Sequence, residues 1–170
     1  MAGPAKGTGR VTRLALLTAI ALTIFLAEAQ IPALTAVPGV KLGLANIVTV
    51  YVMFAMGPGD ALLVLCARVF LGAVFSGQMM TLLYSAAGGL LSWCVLCLLR
   101  RVLTRRQIWL ASPVAAIFHN LGQLLAACAV LRSWAAMAWL PYLVLAGVLA
   151  GLFTGIAAQA LLKRLEKVSK

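Results

Sequence analysis

Six apolar stretches, at roughly residues 14–30, 42–56, 60–76, 79–99, 108–131 and 141–162, occupy most of this 170-residue chain and hold almost no charge. That pattern decides the solvent. Only Glu28, Asp60 and Glu166 are acidic, against fourteen lysines and arginines, and 64% of the residues are hydrophobic. A water-soluble domain of this size cannot cover its surface with so few charged groups. In lipid, backbone polar groups must be satisfied within a helix or a closed barrel. Long apolar runs without alternating polarity select helices. The fold class read from this is all-α: an integral membrane bundle of six transmembrane helices from 14 to 162, between basic tails at 1–13 and 163–170.

A net charge of +11 points to nucleic acid in a soluble protein, so its distribution matters more than its size. Eleven of the fourteen cations fall in three clusters: Lys6, Arg10 and Arg13; Arg100, Arg101, Arg105 and Arg106; Lys163, Arg164, Lys167 and Lys170. Each flanks an apolar span, the position of cytoplasmic anchors beside anionic headgroups rather than of a nucleic-acid surface. With the N-terminus inside, both ends and the arginine loop at 100–107 share the cytoplasmic side, leaving 31–40 and 132–139 outside. The stretch "MGPGD" at 56–60 leaves almost no loop between the second and third spans, and Asp60 is expected to cap the third helix.

The first span has a second reading, because a basic head, an apolar core and "AEA" at 27–29 also describe a signal peptide with a cleavage site. Against it, Ala15, Ala19, Thr23 and Ala27 recur four apart and make a smooth helical ridge. Such a ridge permits close helix approach in lipid, either within the bundle or to a partner protein. Gly147, Gly151 and Gly155 form a stricter version in the last span, and Gly88 and Gly89 lie in the fourth. Cys94 and Cys97 have redox-motif spacing, yet they sit in an apolar helix with no second pair to complete a zinc site, and read as small hydrophobes. No metal or cofactor is expected.

Polar residues inside the spans carry more information, because their desolvation makes them functional candidates by default. Arg68 lies about 12 Å above Asp60 at 1.5 Å per residue, and His119 and Asn120 lie at a comparable depth in the fifth span. Gln123, four residues on, shares a helical face with His119. Glu28, Gln30, Lys41, Asn46, Gln78, Tyr84 and Ser85 gather towards the outer end. In "AVPGVKLGLAN" at 36–46, Pro38 and Gly39 break the chain, Lys41 offers a point charge, and Gly43 permits close backbone approach. The stretch reads as the rim of a small-molecule site suited to a carboxylate, a phosphate or a polar ring edge.

In this order, "VPGVKLGLANIVTVY", "CARVFLGAVFSG", "LYSAAGGLLS", "AIFHNLGQLLAA" and "LPYLVLAGVLAGLFTGI" resemble the bacterial Gx transporter family, also catalogued as heptaprenyl diphosphate synthase component I. The resemblance covers about residues 14–162. That family is similar to the substrate-binding S components of energy-coupling-factor (ECF) vitamin transporters, six-helix bundles that bind substrate near the outer face. The resemblance implies an S-component-like fold in the bacterial inner membrane. By position, Lys41, Asn46, Arg68, His119, Asn120 and Gln123 match the family's polar motifs, and Tyr84 joins them as a ligand-binding candidate. The Ala15 and Ala19 ridge looks like the surface S components use to dock a coupling subunit.

The catalogue name meets a chemical objection. Prenyl diphosphate synthases hold Mg²⁺ on aspartate-rich motifs, since a hard dication on diphosphate needs several carboxylate oxygens. This chain has one aspartate and no two acids close together, so it is not expected to be an enzyme. It also lacks a Walker A motif, so ATP-driven transport requires separate ATPase subunits. The leading reading is a substrate-capture subunit with ECF-type coupling and ATPase partners. The alternative is a membrane partner in isoprenoid-quinone or flavin-linked redox chemistry, in which His119, Gln123 and Tyr84 hydrogen-bond the ring.

Overall fold

The computed structural model describes residues 6–30 and 43–168. These form six α-helices: α1 (Lys6–Glu28), α2 (Asn46–Ala55), α3 (Pro58–Ser76), α4 (Met79–Val102), α5 (Ile108–Leu131) and α6 (Leu140–Val168), with a 3₁₀ turn at Trp134–Trp139 before the last. Five of them are long and apolar enough to cross a membrane. This is a multi-pass membrane protein. Several helices run past the apolar stretches, α1 starting at Lys6 and α6 continuing to Val168. Lysine and arginine propagate a helix well once it leaves the hydrocarbon.

The second element corrects the expectation of six full spans. α2 has 10 residues, about 15 Å of rise, half of a hydrocarbon layer of roughly 30 Å. Gly43, at φ +79°, adopts a left-handed conformation that is cheap only without a Cβ, and residues 44–45 form the turn that leads into the helix. α2 is an interior helix rather than a full span. Val48, Val50, Val52, Met53 and Phe54 are buried, and it touches all five other helices.

Only Met56 and Gly57 separate α2 from α3, the expected tight hairpin. Asp60 does not cap α3, however. Gly57 occupies the cap position and Pro58 the first turn, where its missing N–H costs nothing. Asp60, already inside that turn, accepts a hydrogen bond from Arg10 Nε at 2.9 Å and forms an ion pair with the same guanidinium. Its carboxylate thus ties α1 to α3 while sitting favourably at a helix N-terminus. The described members of the basic clusters share this end of the bundle: Arg100 lies beside Gly57, Arg13 and Arg105 line one groove, and Leu165, which follows Lys163 and Arg164 on α6, lines it too.

Glycines set the closest helix approaches. A Cβ at Gly122 of α5 would fall 2.8 Å from the Ala87 carbonyl oxygen and 2.8 Å from Gly88 Cα of α4, so these helices cross backbone to backbone. On α6, Gly147 faces Asn120, Gly151 faces Pro113, and Gly155 faces Ser112 and Trp109. The glycine stripe of the last span is therefore internal packing. Polar bonds reinforce this seam: Ser112 and Thr154 hydroxyls lie 2.9 Å apart, and the Trp109 amide donates to Gln159 Oε1 at 3.3 Å. Close backbone approach and interhelical hydrogen bonds matter here because apolar contact alone gives helices no preference over lipid.

Candidate functional site

Four helices deliver polar side chains to one buried level of the bundle. α1 ends on Glu28, α2 begins with Asn46 and carries Thr49 one turn on, α3 supplies Arg68 in mid-helix, and α5 supplies His119 and Gln123. Each is buried, and Arg68 is only 2% exposed. A guanidinium held at that burial needs both charge compensation and hydrogen-bond acceptors. Asn46 Oδ1 accepts from Arg68 Nη2 at 3.2 Å, and the Glu28 carboxylate is the negative charge that acts on it. Arg68 Nε and Thr49 Oγ1 have no hydrogen-bond partner among the described residues.

Gly43 joins the two sides of this cluster. Its N–H donates to Glu28 Oε1 at 2.6 Å, which holds the start of the α2 turn against the end of α1. A Cβ at Gly43 would lie 2.8 Å from His119 Cδ2 and 3.0 Å from Asn46 Nδ2. The backbone therefore rests on the imidazole itself. Both its positive φ and this contact require glycine, which extends the sequence reading of Gly43 as a point of close approach.

His119 and Gln123 act as a unit on α5. Their Nε2 atoms lie 2.7 Å apart, so the Gln123 amide donates to the ring when the ring nitrogen is unprotonated. The pair packs over Gly88, where an added Cβ would meet the His119 carbonyl oxygen at 2.6 Å and Gln123 Cγ at 2.8 Å. Gly88 and Gly122 thus let α4 and α5 close directly beside the polar residues. The glycine in "HNLGQ" is part of that arrangement, and its neighbours His119 and Gln123 point to the same crossing.

Two predicted site residues go elsewhere. Asn120 follows His119 by one residue, which turns its side chain about 100° around the helix; its Nδ2 donates to the Leu143 carbonyl of α6 at 2.7 Å. It fastens α5 to α6 beside Gly147, while its Oδ1 has no partner among the described residues. Tyr84 is buried one turn outward of Gly88, in an apolar cluster with Leu124, Ala127, Cys128, Ala136 and Leu143. The structure brings together Asn46, Arg68, His119 and Gln123, and adds Glu28, Gly43 and Thr49. Lys41, with Pro38 and Gly39, lies outside the described residues. Thr49 was legible only as the residue three after Asn46 on the same helical face.

On α1, Ala21, Phe25 and Glu28 face inward, with Phe25 pressed against Gly72 of α3. Ala15, Ala19, Thr23 and Ala27 are all exposed. The ridge faces away from the bundle, so internal packing does not use it. Thr23 Oγ1 is satisfied by the Ala19 carbonyl at 3.0 Å, and the ridge therefore offers surrounding lipid or protein no unsatisfied hydroxyl donor.

A family model described as heptaprenyl diphosphate synthase component I matches residues 17–161. No curated protein and no solved structure matches the chain.

Proposed function

The chain belongs to the heptaprenyl diphosphate synthase component I family, and from that membership and the geometry above we propose that it is a non-catalytic, substrate-capture subunit of a small-molecule transporter. The observation that carries this reading is the convergence of Arg68, Asn46, Thr49 and the His119–Gln123 pair at one buried level, with Arg68 Nε and Thr49 Oγ1 lacking hydrogen-bond partners among the described residues. Buried polar atoms of this kind are costly unless something completes them. A ligand with a carboxylate, phosphate or polar ring edge supplies acceptors for the planar guanidinium fork. Because Gly43 rests on the imidazole, admission of a ligand is proposed to lift the Gly43 turn from His119. Lys41, by its place in the sequence, is proposed to stand at the rim.

The outward-facing ridge of Ala15 and Ala19 supports a second half of the proposal. It is the docking face for a membrane-embedded coupling subunit, which in turn works with separate ATPase subunits. The site then lies in the outer half of the bundle, with the shared basic end facing the cytoplasm of a bacterial inner membrane by the positive-inside rule. Native mass spectrometry of the chain purified from its own membranes tests the function. A retained water-soluble metabolite, lost in Arg68→Lys, is the expected result; a retained prenylated ring would replace capture with the quinone or flavin reading. Cysteine labelling that places the 100–107 loop outside would overturn the orientation.

A further inference from the structure

A threonine inside a helix ordinarily satisfies itself, because its hydroxyl reaches back to a carbonyl three or four residues earlier. Thr12, Thr23 and Thr154 do this, donating to the carbonyls of Thr8, Ala19 and Gly151 at 2.9, 3.0 and 3.1 Å. Thr49 does not. Its side chain is buried, with 2% of the residue exposed, yet Oγ1 has no hydrogen-bond partner among the described residues, the carbonyls of Ala45 and Asn46 one turn back included. A buried hydroxyl that forgoes its own helix is costly unless another group completes it.

Arg68 presents a second incomplete donor to the same face of α2. Asn46, one turn before Thr49, accepts from Arg68 Nη2 at 3.2 Å, which fixes the guanidinium against α2 while Nε has no partner. α2 and α3 pack together, so one N–H and one O–H from adjoining helices wait at one buried level. An arginine can only donate, and a hydroxyl can donate or accept. One planar oxygen with two lone pairs accepts from both. A phosphate brings three strong acceptor oxygens and about two negative charges, and the oxygens beyond the first would be buried without donors. The flanking residues offer none, since Val48 and Val50 of α2 and Leu65 and Val69 of α3 are apolar and buried.

We propose that Thr49 is a ligand-contacting residue that sets the specificity of this site: its hydroxyl and Arg68 Nε together receive one carbonyl-type oxygen, from a carboxylate or from a neutral amide or lactam, and a phosphate is excluded. Asn46 is a positioning residue that acts through the guanidinium. This assignment rests on the capture reading and narrows the ligand classes that reading admits.

The test uses fragments that carry only the recognised group. Acetate, acetamide or inorganic phosphate is added at constant ionic strength to the full chain in detergent, and the melting temperature is read. Acetate, acetamide or both should raise it, and phosphate should not. A rise with acetate alone identifies a carboxylate, and a rise with acetamide alone a neutral carbonyl. Thr49→Val keeps the shape and removes the hydroxyl. With nothing added it should melt at or above the wild type, because an incomplete buried hydroxyl gives way to a methyl group, and it should bind the effective fragment about fivefold more weakly, the scale of one hydrogen bond. Thr49→Ser, which keeps the hydroxyl, should retain most of the binding. A lower melting temperature for Thr49→Val without fragment would mark the hydroxyl as a structural bond and overturn the assignment. A shift with phosphate, no shift with either carbonyl fragment, or unchanged fragment binding in Thr49→Val would overturn it equally. Native mass spectrometry separates this from the capture reading: a wild type that retains no metabolite removes capture alone, whereas a metabolite retained equally by Thr49→Val removes the role of Thr49 and leaves capture standing.

Discussion

α5 and α1 are both apolar helices of membrane-spanning length, yet they are held in opposite ways. In α5, 44% of the most apolar window is buried, against 17% in α1. α5 meets α4 at Gly88 and Gly122 and meets α6 through three glycines, a hydroxyl pair and the Asn120 amide. α1 is held by Phe25 over Gly72, by the Arg10–Asp60 pair, and by Glu28 at the Gly43 amide. Its small ridge faces outward and its leucines line an open groove. Helices in lipid adhere through close backbones and hydrogen bonds rather than through apolarity. The α4–α5–α6 side has both in quantity, which leaves α1 as the element with surface to spare for other molecules.

The largest test of that contrast is Arg68→Ala, at the level where both regions contribute to the site. Removing the buried guanidinium leaves Asn46 Oδ1 without its donor and Glu28 without the positive charge near it, which should cost about 3 kcal/mol, read as a large drop in detergent melting temperature. Arg68→Lys should recover only part of it, because a point charge does not replace the fork. Indifference to both changes would remove Arg68 from the buried cluster.

Next in size is Gly122→Leu. The neighbours of the added Cβ are the Ala87 carbonyl and Gly88 Cα, backbone atoms that cannot rotate away, so overpacking of about 1–3 kcal/mol or more is expected. A variant that melts like the wild type would show that the crossing is looser than its geometry. Gly43→Ala should cost about 1–2 kcal/mol for the left-handed backbone alone, and because its methyl group presses on His119 it should also weaken binding of whatever ligand co-purifies. Loss of stability with full binding would separate Gly43 from the site.

The smallest effect on stability belongs to Ala15→Leu. On an exposed ridge the change should stay within about 0.5 kcal/mol, yet it should abolish co-purification of any coupling partner, since the ridge is filled. Unchanged assembly would mean that the ridge faces lipid alone.

Much of the site was readable as chemistry before it was readable as geometry. Arg68, Asn46, His119 and Gln123 stood out because a polar side chain in an apolar span is expensive, and the four-residue spacing placed His119 and Gln123 on one face. Asn120 stood out equally and belongs to a different seam, because a single residue step turns a helix by about 100°. Tyr84 was grouped with the polar set by its hydroxyl, while its ring settled in an apolar cluster.

What the sequence by itself determined is the class of solvent, the helical state of the long spans and their boundaries to within a turn or two. Each of these follows from a local rule: a helix in lipid satisfies its own backbone whatever its neighbours are. Tertiary structure alone decided that the second apolar stretch is a 10-residue interior helix, that Asp60 turns to Arg10 instead of capping α3, and that the ridge of α1 faces out while that of α6 faces α5. Periodicity states which residues share a face, but which neighbour that face meets depends on where every other helix has found its closest backbone approach.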